Sequence, residues 1–235
     1  MSFVIWLFEI GYILQHVATV YQIIRIIKKE NTELVSLETN IMFLLGALSR
    51  LLWMWDSMLK GFFLSYIEIV LAIGSLVYII FLYRKYKVNS YVDREIKLPI
   101  FLRFEVLLVV VLILSFFFHP GSKGAYYFTM QMFVSFSIYA ESIGLIPQLY
   151  MIKHQKDTGN ISQFYVVFLA FARFFRLMFW LKMYLDGNKF ISLILADLIH
   201  SILLFDFVYN VFKNWNKNIL PTFENTEMQQ PKKMY

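Results

Sequence analysis

The 235-residue chain contains no cysteine, which excludes disulfides, thiolate catalysis and any Cys-ligated metal. Charge is scarce too: 16% of the residues are Asp, Glu, Lys or Arg, against 59% hydrophobic. Soluble domains carry about a quarter charged residues, so the composition is that of an integral membrane protein. No HExxH zinc spacing and no recognisable nucleophile and base pair is present, so no enzyme, metal or cofactor is expected. The first apolar run has no Lys or Arg before it and no small-residue cleavage site after it, and reads as a retained span rather than a signal peptide. The excess charge of +6 is no nucleic-acid footprint, because its placement follows the ends of apolar runs.

What is abundant is apolar sequence in runs long enough to cross a hydrocarbon core, which takes about 20 helical residues. They lie at about 3–27, 36–55, 62–83, 98–118, 125–152, 161–185 and 190–212. The expected fold class is all-α, with seven transmembrane helices in a membrane domain over residues 1–215 and a flexible polar tail over 216–235. The basic residues orient it. Arg25, Lys28 and Lys29 follow the first run; Arg84, Lys85, Lys87, Arg94 and Lys97 separate the third from the fourth. Lys153 and Lys156 follow the fifth, and Lys213, Lys217, Lys232 and Lys233 the seventh. Only Lys60, Lys123 and Lys189 fall on the opposite side. The positive-inside rule then places the N-terminus in the lumen and the tail in the cytosol. It also makes the sequon Asn160-Ile161-Ser162 cytosolic and unmodified.

Two stretches resemble each other. Aligning Ser36 with Ser162 also pairs Ile26 with Ile152, Thr32 with Thr158 and Arg50 with Arg176. Glu9-Ile10-Gly11 likewise resembles Glu141-Ser142-Ile143-Gly144. Both copies run the same way across the membrane, so runs 1 to 3 and 5 to 7 are expected to form parallel three-helix bundles joined by run 4, with a site at their interface.

Charges within the runs mark where to look, because each costs at least about 2.5 kcal/mol at bilayer depth and needs a partner or a cavity. They are Arg50, Arg103, Arg173, Arg176 and Lys182, facing Glu9, Glu68, Glu105, Glu141, Asp197 and Asp206. Arg173 and Arg176 are three residues apart on one helix face, with Trp180 a turn further. Two guanidiniums so placed suit a carboxylate, to which each donates a planar pair of hydrogen bonds. Glu141 is either an arginine's structural partner or a ligand contact. Arg103, Glu105 and Lys182 read as interfacial residues that snorkel. His16 and His200 are either packed histidines or groups that titrate across the secretory-pathway pH range.

The stretch Phe136-Ser137-Ile138-Tyr139-Ala140-Glu141-Ser142-Ile143-Gly144-Leu145-Ile146-Pro147-Gln148-Leu149 resembles a signature of the KDEL receptors, the ER lumen protein-retaining receptors, which reads close to SIYLESVAILPQL. Ala172-Arg173, Trp180 and Leu203-Leu204-Phe205-Asp206-Phe207-Val208-Tyr209 continue the similarity, as does Leu102-Arg103-Phe104-Glu105-Val106-Leu107. It covers about residues 98–212 well; earlier, Val35-Ser36 and Arg50 carry it. The resemblance implies a SWEET-like or PQ-loop-like pair of three-helix bundles. It also implies a lumen-facing polar cavity that binds the C-terminal tetrapeptide of escaped soluble ER proteins in the acidic Golgi and releases it in the ER. Arg50, Arg173, Glu141, Trp180 and Asp206 match family positions at that cavity, and Arg176 joins them by its place beside Arg173.

Departures from the family concentrate at the same place. Phe8 replaces an arginine, Trp53 an aspartate, Gln131 a glutamate, and Ala172 and Arg176 two tyrosines, while Gln15 stands where the family has a histidine. Losing two acids and gaining Arg176 implies a more acidic or differently shaped peptide. The last residues, Lys232-Lys233-Met234-Tyr235, resemble the dilysine signal read by the retrograde vesicle coat, and on the orientation above they face it. The expected partners are therefore soluble ER proteins with KDEL- or HDEL-like endings and that coat, in ER and Golgi membranes. Two other readings stand beside this one: a transporter of a small anionic solute, suggested by the Pro147-Gln148 dipeptide, and a structural membrane subunit that has lost its ligand.

Overall fold

The computed structural model describes residues 2–32, 35–54, 63–86, 98–119, 130–154, 160–187 and 191–219, without the side chains of 2, 153, 154, 160–163, 203, 206, 207 and 210–219. The regular elements among them are all helical: α1 (Ser2–Lys29), α2 (Leu37–Met54), α3 (Phe63–Tyr86), α4 (Phe104–Phe117), α5 (Met130–Gly144), α6 (Ile146–His154), α7 (Asn160–Leu185) and α8 (Ile191–Ile219). Four segments have the length and hydropathy to cross a membrane: Phe3–Lys29, Phe63–Tyr86, Met130–Ile152 and Phe164–Leu185. Phe104–Phe117 and Ile191–Ile202 are shorter apolar helices.

Local chemistry sets the ends. The Ser36 hydroxyl accepts the Thr39 N–H at 3.1 Å, capping α2, and α7 stops where Gly187 takes φ 96°, a value a side chain would resist. The apolar run from 98 does not begin as α-helix. A 3-10 turn at Ile100–Leu102 follows Pro99, and Arg103 sits in extended conformation at the start of α4. With 14 residues, α4 is about 21 Å long. The run expected at 125–152 is two helices, broken at Leu145, where the chain turns between Gly144 and Ile146. Pro147 lies in the first turn of α6, where its missing N–H costs nothing. At the other end, α8 continues to Ile219, past residue 215.

The main helix contacts form a closed ring. α1 packs on α3 and α7, α2 on α3 and α5, and α8 on α7 and α5, while α4 lies outside against α5. Exchanging α1 with α5, α2 with α7 and α3 with α8 leaves the ring unchanged. Small residues allow a close approach where α1 meets α7 and where α2 meets α5. A Cβ on Gly11 would stand 2.7 Å from Cγ of Arg176 and 2.9 Å from the Ala172 carbonyl oxygen; one on Gly46 would stand 3.2 Å from Cγ of Glu141. Both glycines thus face the polar residues described next.

Candidate carboxylate-binding site

Arg50, Arg173 and Arg176 are among the largest fully buried side chains described. Arg50, from α2, bonds Glu68 of α3 through Nη2 at 2.6 Å. Arg176, from α7, pairs with Glu141 of α5 and, at 3.5 Å, with Asp197 of α8. Arg173, one turn earlier, reaches the same two acids at 3.2 and 3.4 Å. Arg50 on α2 is therefore paired with an acid on α3 and Arg176 on α7 with one on α8, Glu68 and Asp197. Glu9 on α1 is bonded to Ser65 of α3.

Tyr12 of α1 joins the two halves. Its ring centre lies 3.5 Å from the Arg50 guanidinium carbon and 4.6 Å from that of Arg176. Gln15, one turn on, accepts a hydrogen bond from Arg176 at 3.3 Å. Three guanidiniums thus face the carboxylates of Glu68, Glu141 and Asp197 in a buried site, where unpaired charge is costly. The pairing is incomplete: Nε and Nη2 of Arg173, Nε of Arg50 and Nε of Arg176 have no hydrogen-bond partner among the described residues. The free edge of Arg173, Nε with Nη2, is one that binds a carboxylate by two parallel bonds.

Towards the end of the bundle where α1 begins and α2 and α7 finish, the charged cluster is covered by aromatic rings. Phe8 packs 5.0 Å from Phe179 and 6.1 Å from Trp53, and Phe179 packs 4.8 Å from Trp180. The Trp53 indole also donates to Ser137 at 3.4 Å. Phe8 and Trp53 therefore form an apolar layer over the arginines.

Of the residues singled out from sequence, Arg50, Arg173, Arg176 and Glu141 come together, and Trp180 lies in the covering layer. The Asp206 side chain and Lys232 and Lys233 lie outside the described residues. Arg103 and Glu105 are exposed at the start of α4, and Lys182 pairs with Asp186 at 2.5 Å on the surface, all apart from the cluster. His16 faces Ser75 of α3 at 3.5 Å. Tyr12, Gln15, Glu68 and Asp197 complete the site without having been selected for it. Glu68 and Asp197 carried a signal as acids in apolar runs; Tyr12 carried none among 15 tyrosines.

The Pro147-Gln148 dipeptide has a structural task. The Gln148 side-chain oxygen accepts the Ser36 N–H at 2.7 Å, and the Gln148 N–H donates to Thr39 Oγ1 at 3.2 Å. It ties the start of α6 to the start of α2.

The family model described as ER lumen protein retaining receptor matches residues 31–183, a range that holds Arg50, Glu141, Arg173, Arg176 and Trp180. The chain is 28% identical over 199 residues to ER lumen protein-retaining receptor 2 of Homo sapiens, covering 83% of this chain and 88% of that protein. Against ER lumen protein-retaining receptor 3 of Mus musculus it is 24% identical over 193 residues, 82% of this chain and 85% of the relative. The match to the ER lumen protein-retaining receptor of Petunia hybrida is 31% identical but shorter, 86 residues, 36% of this chain and 40% of the relative.

Proposed function

The chain belongs to the ER lumen protein retaining receptor family, and from that membership we propose that it binds the C-terminal carboxylate of escaped soluble ER proteins and returns them from Golgi to ER. The observation that carries the reading is the unpaired edge of Arg173, buried beside Arg50 and Arg176. A peptide carboxylate supplies the two acceptors that edge lacks and exchanges with Glu141 for the guanidiniums. Tyr12 and Glu68 hold Arg50 in place for it.

In this reading the seven runs span the membrane as two parallel three-helix bundles plus α4, with the N-terminus lumenal. The symmetric ring of helix contacts supports that arrangement. The aromatic layer of Phe8, Trp53, Phe179 and Trp180 lies on the lumenal side, and ligand entry displaces it. Binding is tighter in acid, and Lys232 and Lys233 engage the retrograde coat from the cytosol.

The test is binding of the purified protein to labelled peptides ending in KDEL, HDEL and variants, at Golgi-like and ER-like pH, with Arg173→Ala as control. Binding that tightens in acid and is lost in the variant supports retrieval. Failure of every C-terminal peptide at both pH values overturns it and leaves solute flux and a structural role to be assayed.

A further inference from the structure

A second pocket lies on the flank where α5 and α8 pack side by side under the end of α4. It is a pocket of about 400 Å³, within the range of small-molecule sites. Leu114, Ile143, Leu195 and Ile199 supply its walls. Leu195 and Ile199 are 50% and 60% exposed and stand on the apolar outer surface of α8, which faces lipid in a chain of this composition. The pocket opens at that apolar surface.

Four polar side chains line it, Tyr139, Ser142, Ser192 and His200; the Tyr139 hydroxyl donates to the Phe118 carbonyl at 3.3 Å. His200 is buried to 1% exposure, yet neither ring nitrogen has a hydrogen-bond partner among the described residues. The Ser142 hydroxyl, also buried, lacks one as well. Each such group left unsatisfied is destabilising, and having both on one apolar pocket is unexplained by packing. An acyl chain offers them nothing. Among the described residues no charged side chain lines the pocket, so a charged head group would meet no counter-ion there. A neutral imidazole and a hydroxyl together offer donors and acceptors to one hydroxyl.

We propose that this pocket binds a neutral membrane lipid with a single hydroxyl on a bulky apolar body, the chemistry of a sterol, with the hydroxyl held by His200 and Ser142. The site shares no residue with the carboxylate cluster and does not depend on that reading.

The experiment uses the full chain in lipid nanodiscs with a photoactivatable cholesterol analogue, and maps the labelled positions by peptide mass spectrometry. Labelling is expected at the pocket walls on α4, α5 and α8, competed by cholesterol but not by cholestane, which lacks the hydroxyl. Ser142→Ala is expected to weaken labelling by about tenfold, the scale of one buried hydrogen bond. Leu195→Trp, at an exposed rim position that folding tolerates, is expected to abolish it by filling the mouth. Labelling spread over the apolar surface, equal competition by cholestane, or full labelling of Leu195→Trp overturns the proposal.

Discussion

The guanidinium carbon of Arg50 lies 3.5 Å from the centre of the Tyr12 ring, so a residue of α1 holds the key cation of α2 although those helices are not neighbours in the ring. Arg176 approaches the same ring from α7. Cation–π contacts that exclude water contribute about 2 kcal/mol or more each. Tyr12→Phe keeps the π face and is expected to melt close to the parent protein. Tyr12→Leu loses both contacts and is expected to melt clearly lower and, if the carboxylate site is as proposed, to bind peptide more weakly. Thermal melting of the purified variants by intrinsic fluorescence distinguishes them; equal melting of Leu and Phe variants rules out the bridging role.

Glu141 answers two arginines, so Glu141→Gln leaves buried cations with Asp197 alone between them. Breaking a buried ion pair from one side costs about 3–5 kcal/mol. The control is Glu105→Gln, exposed at the start of α4, where an effect of less than about 1 kcal/mol is expected. In a double-mutant cycle, Arg176→Gln on top of Glu141→Gln is expected to cost less than the two singles together. Strict additivity, measured by denaturant or thermal titration in micelles, contradicts the pairing.

These two sites show what a linear reading can and cannot reach. Charges stand out against apolar runs, so composition and spacing single out Arg50, Glu141, Arg173 and Arg176, and the repeat aligns Arg50 with Arg176, each of which pairs with a buried acid. Which acid meets which arginine depends on the rotation of each helix about its axis. Residue spacing leaves that open between helices, so it pairs neither Glu68 nor Asp197 with a particular arginine. Tyr12 was hidden because aromatic side chains are the ordinary lipid-facing material of such a chain. Helix ends were blurred in the same way: an unbroken apolar run conceals both the 3-10 turn after Pro99 and the break at Leu145, since hydropathy does not report backbone hydrogen bonding.

Close helix approach makes its own prediction. A Cβ on Gly144 would stand 2.5 Å from Cβ of Met42, nearer than non-bonded carbons come. Gly144→Ala is therefore expected to force α5 away from α2 and to cost about 1–3 kcal/mol, the range for overpacking. Because the clash is with Cβ itself, Met42→Gly relieves it and Met42→Ala does not. Melting temperatures of the two double variants decide the point, and equal values exclude the contact.

Topology can be read by glycosylation. With the N-terminus lumenal, the native sequon at Asn160 stays unmodified, while a sequon introduced beside Lys123 is expected to be modified in microsomes. The same orientation exposes the tail to the cytosol, and Lys232→Ser with Lys233→Ser is expected to shift the protein away from the ER. Modification of Asn160 reverses the orientation. An unchanged location in the tail variant means that the two lysines are not a sorting signal.

Gln148 separates a structural duty from a transport motif. Its side-chain oxygen accepts the Ser36 N–H at 2.7 Å, one of the donors at the start of α2 that no helical carbonyl satisfies. Gln148→Leu leaves that donor buried and is expected to cost about 1–3 kcal/mol. Gln148→Glu keeps an acceptor in the same place and is expected to retain more of the stability. If the dipeptide instead served solute movement, both variants would alter flux in proteoliposomes at unchanged melting temperature. The 2.7 Å bond argues for the first outcome, because its acceptor is already committed to holding α6 against α2.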